Sequence, residues 1–140
     1  MPDTRTNEEV SAEVARRLFG WEWRQVHCFK GHLVDAFLPT ERGSENLDWC
    51  HAPWNADTDG LWFVKPYASE HNAALGLVVP EMTAQGFEFR MIVHRSDGSV
   101  FVEFYNEHVQ AGEMVDSIKE APRAICEAAL AALDAEGGKR

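Results

Sequence analysis

The sequence predicts an α+β fold, a sandwich of layers in one domain, and three observations predict it. Segments near both ends repeat apolar residues at helical spacing. A middle segment does the same around a proline. The stretch from Phe87 to Tyr105 instead alternates with a period of two around Asp97-Gly98. The 140 residues, 45% hydrophobic, are enough for one core and exclude a disordered acidic tail.

Taken in order, Thr6 and Glu9 fit a capping box, in which each side chain satisfies a backbone N–H that the first turn leaves unpaired. Val10, Val14 and Leu18 follow as one stripe, and Gly20 suits the left-handed stop, so a helix is predicted over 7–19. Loose alternation from Trp21 to Phe29 and from Leu33 to Leu38 predicts two strands. Residues 39–60, rich in Pro, Gly, Asn and Asp, read as a long loop, with Leu61 to Val64 returning as a short strand. Loops of this length are often functional or mobile.

Ser69 is the expected N-cap of a second helix running to Gln85, stopped by Gly86. Pro80 lies inside it, removing one helix hydrogen bond and pressing on the carbonyl of Gly76, so a kink or break is expected. Phe87 to Val93 and Val100 to Tyr105 form a hairpin, because Asp97-Gly98 accepts positive φ at low cost. Apolar residues on both parities predict a sheet at least partly covered on both sides. A last, alanine-rich helix begins near Pro122, where a missing N–H costs nothing, and ends at Gly137-Gly138.

The chain carries 13 Lys+Arg against 23 Asp+Glu, a formal net charge of −10. That balance disfavours direct binding to nucleic acid or anionic membranes and favours a basic protein partner. The opening Met1-Pro2-Asp3-Thr4-Arg5-Thr6 is polar, and no apolar run approaches a spanning length, so a soluble, cytoplasmic protein is expected. Cys28, Cys50 and Cys126 are odd in number and widely spaced, which reads as thiols rather than a disulfide framework, with Cys126 on a buried helix face.

Three separated segments carry a family resemblance. Leu18-Phe19-Gly20-Trp21 closes the first helix. Lys65-Pro66-Tyr67-Ala68-Ser69 leads into the second, which is followed by Gly86-Phe87-Glu88-Phe89. The run from Glu120 through Ala121-Pro122-Arg123-Ala124-Ile125-Cys126-Glu127-Ala128-Ala129 to Leu130 opens the last helix. Together they resemble the phage ABA sandwich domain family, small proteins of bacteriophages and prophages, over most of residues 8–135. The resemblance implies a three-layer α/β/α sandwich, with a small antiparallel-rich sheet flanked by about three helices, and a phage origin that would place the protein in the host bacterial cytoplasm. It brings no catalytic residues. Pro80 and the Trp-containing insert around 41–60 depart from the family pattern, and the insert is the place where specialisation is expected.

Several groups of residues carry chemistry, each with two readings. His27, Cys28, His32, Cys50 and His51, with Asp35, have the donor types of a zinc site, but no Cys-x-x-Cys pair is present and adjacent side chains diverge on a strand. They are either unrelated or one staple for the insert. Nothing in the spacing calls for a cofactor, and no Gly-x-Ser-x-Gly, Walker loop or paired-carboxylate motif suggests an enzyme. Trp49 and Trp54 either fold back as a small core or serve as recognition anchors. Trp21 and Trp62 read most simply as core. The insert has Glu41, Glu45, Asp48, Asp57 and Asp59 against Arg42, and segment 107–120 has Glu107, Glu113, Asp116 and Glu120 against Lys119. These nine carboxylates either solubilise the chain or steer a basic partner.

The expected function is a small acidic phage-encoded binding protein, not an enzyme, that engages a basic host protein, for example as an anti-defence inhibitor. Trp49, Trp54, Asp57, Asp59, Glu107, Glu113 and Asp116 are its candidate contacts. The alternatives are a binder of a small nucleotide signal, using Trp23, Arg24, Lys30, Trp62, Lys65, Tyr67, Arg90 and Arg95 for stacking and phosphate, and a zinc-stabilised domain. A homo-oligomer is compatible with each.

Overall fold

In the computed structural model, residues 5–27, 33–39, 54–55, 60–62 and 67–137 are described, those from 24 to 62 by backbone alone. The chain is a mixed α+β fold of two compact units, one of residues 1–14 with 66–140 and the other of residues 15–65.

Helix α1 (Asn7–Phe19) starts where the capping box places it. Thr6 Oγ1 accepts from the Glu9 N–H at 3.1 Å and Glu9 Oε1 accepts from the Thr6 N–H at 3.2 Å. Gly20 ends it at φ 75°, a conformation that costs a side-chain-bearing residue dearly. Val10 and Val14 are fully buried.

In the second unit, β1 (Trp21–His27) and β2 (Leu33–Pro39) form an antiparallel hairpin, with Trp23 opposite Phe37. Strands β3 (Trp54–Asn55) and β4 (Gly60–Trp62) pair antiparallel, and β4 lies parallel to β2. Part of the expected loop 39–60 is therefore strand, because Trp54-Asn55 finds a ladder partner in Leu61 and Gly60. Trp21 is buried, as expected of a core residue.

Most of the buried side chains among the described residues lie in the first unit. After α2 (His71–Ala73) the helix widens into a π-helical turn (Ala74–Val78) and resumes as α3 (Val79–Ala84). The Val79 N–H reaches the carbonyl of Ala74, one residue farther back than in an α-helix. The chain thus absorbs Pro80 in the first turn of α3 rather than breaking, since a proline there has no N–H that needs an intrahelical partner. Glu70, not Ser69, is the N-cap, and it makes no side-chain cap bond. Gly86 stops α3 at φ 99°.

Strands β5 (Glu88–Val93), β6 (Val100–Tyr105) and β7 (Gln110–Val115) form an antiparallel sheet with β6 central. The β5–β6 turn has Gly98 at φ 76°, and hydrogen bonds from Ser99 hold the Asp97 carboxyl below its ordinary pKa. The β6–β7 turn is closed by Asn106 Oδ1, which accepts from the N–H groups of His108 and Val109 at 2.8 and 2.9 Å. A 3₁₀ turn (Ile118–Glu120) then feeds α4 (Ala121–Gly137).

Helix α4 packs on β6 and β7, and α3 packs on β5. The inner sheet face presents Val100, Val102 and Phe104, all fully buried. Opposite them α4 offers Ala121, Ala124, Ile125, Cys126, Ala128, Ala129 and Ala132, also fully buried. Small alanines let the helix approach closely while Phe and Val supply the apolar volume.

Ser11 is the one uncharged polar residue buried among the described residues, and its Oγ accepts from the Ala68 N–H at 2.9 Å. Ser11→Ala leaves that buried donor unsatisfied, so urea unfolding should show a loss of about 1–3 kcal/mol. A variant as stable as wild type would mean that water replaces the hydroxyl.

Candidate functional site

Side chains alternate across a strand, so the register of β5–β6–β7 defines a second, outer face. Along it run three rows: Glu88, Tyr105 and Gln110; Arg90, Glu103 and Gly112; Ile92, Phe101 and Met114. Ile92 is 39% and Met114 56% exposed. Phe101 and Tyr105 are half-buried. Helices α3 and α4 pack on the inner face, where Val93 at the edge is still 53% exposed, and this outer face is open at one apolar row.

Its centre is a polar network. Glu103 is buried at 2% exposure and its Oε1 is ion-paired with Arg90 Nη2. Its Oε2 accepts from Gln110 Nε2 at 2.9 Å. The Arg90 guanidinium also lies 5.9 Å from the Tyr105 ring centroid, in cation–π range. Phe101 leans across the strand, because a Cβ on Gly112 would sit 2.7 Å from its ring. Glycine at 112 is what leaves room for the ring over β7.

Removing Arg90 should expose how much the network depends on it. Arg90→Met leaves the Glu103 carboxylate buried with one neutral donor. Because Arg90 is itself half-exposed, the expected cost is about 1–3 kcal/mol, below that of a fully buried pair. Replacing Glu103 by Met as well should recover most of it, and a double variant no more stable than the single would contradict this reading.

A cleft of about 780 Å³ opens on the other side of the same unit. Glu113, Glu120, Glu127 and Asp134 line it together with Arg5, Lys119 and Arg123. Arg123 Nε donates to Glu127 Oε1 at 2.6 Å and its Nη1 to Asn7 Oδ1 at 3.0 Å. The four carboxylates are therefore interleaved with three cations and do not form a site of one sign.

Most of the sequence-derived candidates lie outside the described residues or are placed by backbone alone. Trp49, Asp57, Asp59, Cys28, Lys30, His32, Cys50, His51 and Lys65 lie outside the described residues. Arg24 and His27 belong to β1, Asp35 to β2, Trp54 to β3 and Trp62 to β4 by backbone. Trp23 is 41% exposed. Among the described residues, no three His, Cys, Asp or Glu side chains gather as metal ligands.

The remaining candidates are placed as follows. Tyr67 is buried at 2% exposure, so its ring presents no stacking surface, and burial with the nearby Cys126 pushes its phenol up to about 12. Arg90 is engaged by Glu103 rather than held ready for phosphate. The carboxylates of segment 107–120 are spread along β7 and its flanks. Glu107 sits in the turn before β7 and Asp116 just past its far end, six strand residues apart, while Glu113 lines the cleft.

No family profile matches the chain, nor does any curated protein. Among solved structures, the fold is similar to the crystal structure of a phage protein from Bacillus cereus, with a TM-score of 0.53 and 15% identity over 96% of this chain and 93% of that one. No helix among the described residues is long and apolar enough to cross a membrane.

Proposed function

We propose that this is a phage-encoded binding protein that acts by engaging a host protein, with the outer face of β5–β6–β7 as its contact surface. The observation that carries the reading is the open row of Ile92, Phe101 and Met114 beside the Arg90–Tyr105 stack. Aromatic residues, methionine and arginine are the types enriched in interface centres. The similar fold of a phage protein and the segments that resemble the phage ABA sandwich family support the origin. Interference with a host defence component is the concrete form of this role, and the acidic balance suits a basic target.

A photo-crosslinking amino acid at position 114 in the full chain tests it. Irradiation in a lysate of the host should label a specific host protein, and the same amino acid at exposed Asn72, on α2, should not label it. Equal labelling from both positions, or none from position 114, would remove the outer face from the account.

A further inference from the structure

The partner's recognised element follows from the size and charge of the outer face. We infer that this face receives an amphipathic helix of the partner, apolar on one side and flanked by Lys or Arg. The inference rests on the binding role proposed above.

Size is the first argument. Three strands at roughly 4.8 Å spacing and six residues at roughly 3.4 Å rise give a face about 14 Å by 20 Å. That is on the order of 300 Å², well below the roughly 800 Å² per partner of a stable standard interface. A second copy of the same flat face is therefore too small an occupant for a stable dimer. A helix laid along the Ile92–Phe101–Met114 row crosses the three strands, and its three turns span about 16 Å, close to the width of the face. An interface of this size is weak and transient unless other elements add to it.

Chemistry is the second. The row of Ile92, Phe101 and Met114 supplies an apolar strip, which Phe101 extends across Gly112. Helix side chains at i, i+3, i+4 and i+7 present a strip of the same kind. Glu103 is already buried and ion-paired, so a helix arriving over it desolvates no bare carboxylate.

Charge is the third. Glu88 on the face and Glu107 in the adjoining turn mark one end, and exposed Asp97 and Asp116 mark the other, with Arg95 the cation among them. Four carboxylates against one arginine attract basic flanks. The same rim repels a second copy, which would bring like charges together.

The test is a titration of the isotope-labelled full chain with three synthetic peptides of about 14 residues. One is a helix former with leucines at i, i+3, i+4 and i+7 and lysine flanks. The second replaces each lysine by glutamate. The third carries a central proline that prevents the helix. The lysine peptide should shift the resonances of Ile92, Phe101, Gly112 and Met114. The other two should bind about tenfold more weakly or worse, and so should the lysine peptide to Ile92→Asp/Met114→Asp.

Equal binding of the proline peptide, no binding at all, or shifts centred on Glu113 and Arg123 would overturn the inference. So would a dimer in sedimentation that the double substitution dissociates, because the occupant is then a second copy. The two readings fail separately. A host protein labelled from position 114 with no helical preference in the titration refutes the helix alone. Absence of labelling refutes the binding role.

Discussion

Phe104→Ala should lower stability by about 3–5 kcal/mol, the cost of emptying a fully packed aromatic site. Phe104 is fully buried on the central strand, and its ring centroid lies 5.0 Å from that of Phe89 at 42°. In register, it stands between Phe89 on β5 and Ala111 on β7, under the alanine-rich face of α4. Neither alanine surface has a side chain long enough to refill the hole, so relaxation is limited. Ile92→Ala, one strand away on the outer face, should cost less than about 1 kcal/mol because Ile92 is already 39% exposed. Urea unfolding of the two variants checks both values. Equal losses would mean that the outer face is as well packed as the inner one.

Raising the pH should unfold the first unit through two buried acids. Burial pushes the Cys126 thiol from an ordinary 9.0 up to about 12, with Arg123 partly opposing and Glu127 adding to the shift. Tyr67 rises from 10.0 to about 12, mainly by burial and further through Cys126. Both groups fold as neutral acids, and the unfolded chain loses their protons first. Their contribution is therefore complete below pH 9 and falls as the pH climbs toward 12. At about 1.4 kcal/mol per pH decade between folded and unfolded ionisation, the pair should remove on the order of 7 kcal/mol across that window. Cys126→Ala isolates the thiol's share from every other alkaline group. Its stability should fall less steeply than wild type between pH 9 and 12, and parallel curves would contradict the assignment. In the folded chain at neutral pH, Cys126 should resist alkylation, since neither thiolate nor access is available.

The parts of the fold that local chemistry dictates were legible. Thr6, Glu9 and Gly20 bound α1 because caps act within one turn. Asp97-Gly98 sets the β5–β6 turn, and the alternation on either side sets its register. Pro80 signalled a perturbation. Its form, a π-helical turn at Ala74–Val78, depends on how that turn meets α4 and how α3 meets β5, which no local pattern encodes.

Strand β7 was missed for a physical reason. Ala111, Glu113 and Val115 on one face and Gln110, Gly112 and Met114 on the other give no apolar period, so the segment read as charge. Asn106, which closes the preceding turn through its own side chain, was the signal available. Losing β7 also hid the outer face. Ile92, Phe101 and Tyr105 were visible in the hairpin alternation, but Gly112 and Met114 complete the surface only when a third strand is present. Apolar residues on both parities suggested a sheet at least partly covered on both sides, and on the outer face Glu103 is indeed buried. The coverage is partial there, because Arg90, Glu103 and Tyr105 contact one another while Ile92 and Met114 stay open.

The central claim is that the outer face of β5–β6–β7 is the contact surface. It is tested most directly by the affinity of the crosslinked host protein, once identified, for the wild-type chain and for Ile92→Asp/Met114→Asp. Both side chains are exposed, so the variant should keep its thermal midpoint within a few degrees. The account predicts that it binds at least about tenfold more weakly. A folded double variant that binds as tightly as wild type would contradict it.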